Sequence, residues 1–323
     1  MKRYFLVVFL LFNFMNQAIC ADTVVSFGIG VNQFEMTFTT IGNPGNAADN
    51  TGNPNQAGSV GYNYNMGKYE VSREMINRAN ASGNLGITLD DMSAYGANGP
   101  DRPATGVTWN EAARYVNWLN TSQGFQPAYK FAVQPGQLGY SSNANIQLWQ
   151  SNDSGYNSAN LFRNSHARYF LPNMDEWYKA AYYDPNANAG TGGYWDFPTA
   201  SDSIPTAVSG GTAADTAVYA NSGIADIMNA GGLSAYGIMG MGGNVAEWEE
   251  TELDLVNDNP LSFRVVRGGG WNSSFNFLSA SFRNAAAPAT ESLNNGFRVA
   301  SIPEPSSMLL CMLVSTLLWQ RRK

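Results

Sequence analysis

The chain has 323 residues, with 18 basic against 25 acidic side chains, one histidine, 33 glycines and an aromatic content of 13%. Sparse helical patterning beside so much glycine and aromatic side chain favours one loop-rich domain around an aromatic core over a helical bundle or a doubly wound sheet. Without the two ends, 13 basic residues face 24 acidic ones, which disfavours nucleic acid as a partner.

Residues 1–21 read as a secretory signal peptide. Lys2 and Arg3 precede an apolar run from Tyr4 to Phe14, and small residues Ala18, Cys20 and Ala21 mark a cleavage point. The run is too short to span a bilayer. Residues 24–40 alternate apolar and polar side chains, with Val31, Phe34, Met36 and Phe38 on the apolar side, and predict one or two strands. Residues 43–59 are rich in Gly, Asn, Asp and Pro. They read as a surface loop, because their acidic residues are too few for a metal loop. Residues 64–71 return to strand character, and Ser72 can cap a helix through Ala79. Thr108 and Glu111 form a capping box, each side chain satisfying an amide left orphaned at the start of a helix. Ala112, Tyr115, Val116 and Leu119 then recur at helical spacing. Asn173 and Glu176 open a second such helix through Trp177, Ala180 and Ala181, ended by Pro185. Residues 182–232, dominated by Gly, Ala, Ser and Thr, are expected as irregular surface loops.

The remainder is organised by residues 241–300. MGGNVAEWEE is followed by FRVVRGGGWNSSFNFLSASFRN and by NNGFRVA. Glycine-rich turns there alternate with short aromatic and β-branched runs, predicting tight hairpins around Trp248, Trp271 and Phe297. Gly242, Gly243 and the glycines 268–270 suit positive φ or close backbone approach. Arg267, Arg283 and Arg298 are expected to donate to loop carbonyls. Glu249, Glu250, Glu252 and Asp254 read as a solvated acidic face. Glu247 differs, since it lies between Ala246 and Trp248, and a buried carboxylate needs a cation or hydrogen-bond donors.

The order GGNVAEW, RVVRGGGW, RN and GFRVA resembles the formylglycine-generating enzyme (sulfatase-modifying factor) family, and the helices VTWNEAARYVNWLN and YFLPNMDEWYKAAYYDP extend the resemblance over residues 60–300. It implies an α+β, C-type-lectin-related fold, loop-rich and poor in regular secondary structure, as one domain over residues 22–302. It also implies a structural calcium ion held by Glu247 and by the carbonyls of Gly243 and Val245, although Gly240 stands where the family usually has Asn or Asp. Catalytic members carry a cysteine pair that binds copper. Here those places fall at Ser273 and Leu278, and no cysteine lies between Ala21 and Leu310, so no copper is expected.

Residues 303–323 combine Pro303-Glu304-Pro305, an apolar run from Met308 to Trp319 and a basic end. They resemble the PEP-CTERM sorting tail of Gram-negative bacteria that make extracellular polysaccharide. That likeness implies export across the inner membrane, transient membrane contact through the tail, and an exosortase-type processing enzyme as partner. His166, the lone histidine, reads as a loop residue and excludes metal centres built on two or three imidazoles. The expected function is an exported, surface-associated, non-catalytic binding or structural module with an extracellular glycan or protein ligand. The alternatives are a formylglycine-generating-type oxidoreductase, which would need the missing cysteines, and a secreted carbohydrate-acting hydrolase using the carboxylates after Trp248. Trp109, Trp118, Trp149, Trp195 and Trp271 are candidates to line a groove or to fill the core.

Overall fold

The computed structural model describes residues 22–303, so the expected signal peptide and all but the first residue of the expected sorting tail lie outside the described residues. The alternation near the N-terminus folds as a hairpin of β1 (Asp22–Phe27) and β2 (Phe34–Ile41), in register from Asp22 opposite Thr39 to Phe27 opposite Phe34. Phe34, Met36 and Phe38 share the inward face of β2, as a period of two requires. The following strand, β3 (Tyr64–Gly67), pairs with β2 and is shorter than the sequence predicts.

Each of the three helices longer than four residues begins at the predicted cap. In α1 (Arg73–Gly83) the Ser72 hydroxyl accepts from the Met75 amide, and Asn84, in the left-handed region at φ 51°, ends the helix one turn later than expected. In α2 (Trp109–Ser122) Thr108 Oγ1 accepts from the Glu111 amide at 3.1 Å, while Glu111 Oε2 accepts from that of Thr108 at 3.1 Å. Strand β4 (Tyr169–Phe170) leads into α3 (Met174–Tyr182), which Asn173 and Glu176 cap in the same reciprocal way. Two-residue strands follow in two pairs: β5 (Tyr183–Asp184) with β6 (Gly193–Tyr194), and β7 (Thr206–Ala207) with β8 (Thr216–Ala217). The C-terminal part supplies β9 (Ala246–Glu252), β10 (Arg264–Arg267), β11 (Asn284–Ala286), β12 (Asn295–Gly296) and β13 (Ala300–Ser301).

One sheet has the order β1-β2-β3-β13-β4 and the other β11-β10-β9-β12. The last residues of the domain thus sit between strands from its first and middle parts. The main core lies among these layers, where Trp109, Trp177, Trp248, Tyr115 and Phe297 are fully buried.

Residues 182–232 are not simply surface loops. Val218, Ile224 and Ala225 join Val245 and Trp271 in a second apolar cluster, and Phe197, Ala217 and Tyr219 close over Leu278 in a third. Residues 43–59 are similarly pinned: Tyr178 donates to Asp49 Oδ2 at 2.6 Å and the Gly58 amide to Asp175 Oδ1 at 2.7 Å. Their small and polar composition hid these anchors, which come from partners more than a hundred residues away. No helix among the described residues is long and apolar enough to cross a membrane.

Candidate functional site

Strand β9 carries the acidic run, and it is not a solvated face. Glu247, Glu249, Glu250 and Glu252 are all buried, because β9 is the inner strand between β10 and β12 and is covered on both faces. Each carboxylate meets arginine or amide donors. Glu250 accepts from Arg163 Nε and the Tyr129 hydroxyl, both at 2.8 Å, and the same Arg163 holds Glu176 through both terminal nitrogens at 2.9 and 3.0 Å. Glu252 Oε1 accepts from the amides of Asp258 and Asn259 at 2.9 and 2.6 Å. Glu249 is the exception: its Oε1 lies 3.2 Å from Arg267 Nε as an ion pair, but neither of its oxygens takes a hydrogen bond. Burial foremost pushes the Glu249 carboxyl up to about 8, against the pull of Arg267. Asp254 alone of the run is exposed. Two of the three flagged arginines donate to carbonyls as expected: Arg267 to those of Phe282 and Asn53, and Arg298 to those of Gly67 and Met239. Arg283 does not, and its Nη1 is buried without a hydrogen bond.

Glu247 is answered by protein donors. Arg298 grips it with Nη2 on Oε1 at 2.5 Å and Nε on Oε2 at 2.6 Å, and Trp177 Nε1 donates to Oε2 at 2.7 Å. Beside this pair lies Glu70, which the sequence reading missed. It accepts from Asn244 Nδ2 at 2.6 Å and from the Val245 amide at 3.2 Å, and burial with the Glu247 charge raises its carboxyl to about 8. Asn244 also takes the Ala225 amide on Oδ1 and the Trp271 amide on its carbonyl, so one residue ties the GGN turn to the RGGGW turn and to the covering loop. Gly243 needs its φ of 84°, since a Cβ there would stand 2.3 Å from the Val218 carbonyl oxygen.

The RGGGW turn opens a cleft of about 530 Å³. Its floor is Gly269 and Gly270 beside Ala246 and Val266. A Cβ on Gly269 would meet Phe277 at 2.9 Å. One wall is Asn272, Ser273, Ser274 and Phe277. The rest of the lining is Phe282 and Asn284 from the approach to β11, and Thr290, Ser292, Asn294 and Asn295 from the segment entering β12. Ser273 Oγ accepts from the Gly270 amide at 3.0 Å, which spends the hydroxyl on the turn itself. Leu278 is fully buried under the Tyr219 loop and takes no part in the lining. No lining side chain is ionisable. A larger hollow of about 710 Å³, bordered by Asn160, Asn173, Asp175 and Asp258, shares no residue with this cleft.

Residues 30–302 match the family described as the sulfatase-modifying factor enzyme 1-like domain. The chain belongs to that family. Its fold is also that of Treponema denticola variable protein 1, at TM-score 0.56 and 18% identity over 87% of this chain and 99% of that one. CarF is similar at TM-score 0.52 and 17% identity, covering 88% and 97%. PvdO from Pseudomonas aeruginosa follows at TM-score 0.51 and 16% identity, covering 86% and 98%. No curated protein matches the chain. The α+β, loop-rich fold expected from the sequence is therefore present.

The sulfatase-modifying-factor resemblance also implied calcium at Gly243, Val245 and Glu247. The donor set here does not fit it: both oxygens of Glu247 are taken by cationic or N–H donors, and a guanidinium already supplies the compensating charge. No cluster of three or more His, Cys, Asp or Glu with metal-binding geometry occurs among the described residues. His166 is an exposed loop residue. Of the five tryptophans considered for a groove, Trp109, Trp118 and Trp271 are buried in the apolar clusters, and none of the five lines the cleft. Sequence reasoning missed Phe277, Phe282 and the asparagines; their only signal was the polar composition of NSS and ESLNN between stronger motifs.

Proposed function

We propose that this sulfatase-modifying-factor-type domain is an exported, surface-associated binding or structural module that does not convert cysteine to formylglycine. One observation carries the reading. At the RGGGW turn, where the catalytic pattern calls for two thiolates, the chain offers a hydroxyl tied to its own turn, in a cleft with no ionisable side chain, and an alkyl group buried outside that cleft. Oxidising a thiol carbon with molecular oxygen needs a soft metal to activate oxygen and hold the substrate sulfur, and thiolates select that metal. A cleft without thiolates, acids or bases is suited to holding a ligand. The hydrolase alternative is weakened as well, since Glu247, Glu249 and Glu250 are buried in polar networks, and Glu252, which borders a hollow with the exposed Asp254, has its Oε1 taken by the amides of Asp258 and Asn259.

The test is to incubate the purified chain with copper, a reductant and a peptide carrying a sulfatase motif. No aldehyde above the metal-only control is expected by hydrazide labelling; aldehyde formation overturns the reading. Export and surface display rest on the two ends of the sequence. The apolar run of residues 308–319 before a basic end supports removal by an exosortase-type enzyme after transient membrane contact. Mass spectrometry of the exported protein is expected to show a chain lacking residues 1–20 or 1–21 and residues 308–323. An intact tail would leave simple anchoring in its place.

A further inference from the structure

We infer that the cleft at the RGGGW turn binds uncharged polysaccharide, with sugar hydroxyls on its asparagines and a sugar face on Phe277. The inference rests on the binding-module reading above and names the ligand class for that site.

The first support is unspent hydrogen-bonding capacity. Among the described residues, the side chains of Asn272, Thr290, Asn294 and Asn295 make no hydrogen bond within the protein, and Asn284 uses only its Oδ1, on the Ala285 amide. Asn294 Oδ1 is moreover shielded from solvent and still lacks a donor. A polar atom left so is costly, and a ligand that supplies the donor recovers that cost. Each carboxamide offers an acceptor and two donors at fixed spacing, which matches a pair of neighbouring hydroxyls, each donor and acceptor at once.

The second support is the aromatic wall. Phe277 is 37% exposed and packs against Phe282 with ring centroids 4.5 Å apart at an angle of 54°. Such packing holds its ring at little entropic cost to binding, and a pyranose presents an apolar C–H face that a ring can cover. A cleft of about 530 Å³ is of a size with small-ligand sites, which run from roughly 300 to 1,000 Å³.

Charge then selects among glycans and against other ligands. The lining carries no arginine or lysine to meet a carboxylate or sulfate, and the domain's 24 acidic against 13 basic residues repel a polyanion. Arg283, the nearest cation in sequence, alternates away from Phe282 and Asn284 and interacts electrostatically with Glu249 and Arg267 on the inner side. A peptide adding itself to β11, the edge strand here, would gain little, since that strand is only three residues long.

The experiment titrates the purified full chain by calorimetry with cellohexaose, mannohexaose, laminarihexaose and xylohexaose, and in parallel with a hyaluronan hexasaccharide and a pool of random heptapeptides. Saturable binding of at least one neutral hexasaccharide below about 1 mM is expected. Phe277→Ala and Asn294→Ala should each weaken it at least about tenfold, as should Asn272→Ala, whose exposed position leaves folding untouched. Phe263→Ala, an exposed phenylalanine outside the cleft, should change nothing. Binding of hyaluronan or peptides alone, lost in Phe277→Ala, would overturn the neutral-glycan class and leave the binding module standing. Binding of none of the probes, or binding that survives all three cleft substitutions, overturns the inference. Aldehyde formation in the copper assay would remove the underlying reading instead.

Discussion

Arg298→Met is expected to cost the fold about 3–5 kcal/mol, read as a lower urea midpoint at an unchanged slope. Methionine fills much of the arginine's volume, so the loss reflects charge more than a cavity. It strands the buried Glu247 carboxylate beside Glu70, itself buried, and frees the carbonyls of Gly67 and Met239 that the guanidinium now satisfies. Those two carbonyls lie in different parts of the chain, so the same side chain also fastens the GFRVA strand to the first sheet. The double variant Glu247→Gln/Arg298→Met should regain a part of the loss, because no uncompensated ion then remains at that position. Calcium at millimolar concentration should leave the wild-type melting temperature where it is. A calcium-dependent rise that vanishes in Glu247→Gln would restore the ion to this place, and a single variant costing under 1 kcal/mol would show that water reaches the carboxylate.

The helices were legible because their signals are local. A capping box is written in four consecutive residues, and Thr108-Trp109-Asn110-Glu111 and Asn173-Met174-Asp175-Glu176 close in the structure as the side chains require. The β1–β2 hairpin was legible for the same reason, by alternation. What sequence could not supply was the far partner. Residues 182–232 lack any periodicity, yet Val218 and Ala225 are drawn in by a turn near residue 244. The acidic run on β9 misled in the opposite sense. Glu249, Glu250 and Glu252 look solvated in sequence, and only the arrival of Arg163 and Arg267 from elsewhere in the chain, with the amides of Asp258 and Asn259, makes their burial tolerable.

At the site the division is similar. The turn glycines and the lack of any cysteine between Ala21 and Leu310 could be read directly, since a motif shows its own gaps. The walls could not, because the asparagines and phenylalanines come from three segments whose convergence depends on β11 and β12 flanking opposite edges of one sheet. Tryptophan was a poor guide to the cleft for an energetic reason: the largest apolar side chains gain most from full burial, and three of the five considered were consumed by the core.

Stability is expected to fall as the pH rises from about 5 to about 8. Glu70 and Glu249 both have carboxyls raised from 4.5 to about 8, by burial first and then by neighbouring carboxylates, with Arg298 and Arg267 respectively pulling the other way. Unfolded, both ionise near 4.5; folded, both keep their proton until about pH 8. In that window the native state binds more protons, so each unit of rising pH favours unfolding by about 1.4 kcal/mol per group. The contribution is complete below pH 4.5 and lost above 8. Asp175, also raised by burial, acts with the same sign. Two kinds of group oppose it, and both act outside the window. Asp22 and Asp153 are held below 3.8 by Lys68 and Lys130, so their stabilisation is lost only in stronger acid. Lys179 is pushed down to about 8 by burial, and its effect reverses between 8 and 10.5. Denaturant midpoints at pH 5, 6.5 and 8 should therefore descend, and Glu249→Gln should make the descent shallower. A midpoint that holds level or climbs across those values would mean that the arginines keep both glutamates ionised, and the burial of β9 would then be an ionic arrangement throughout.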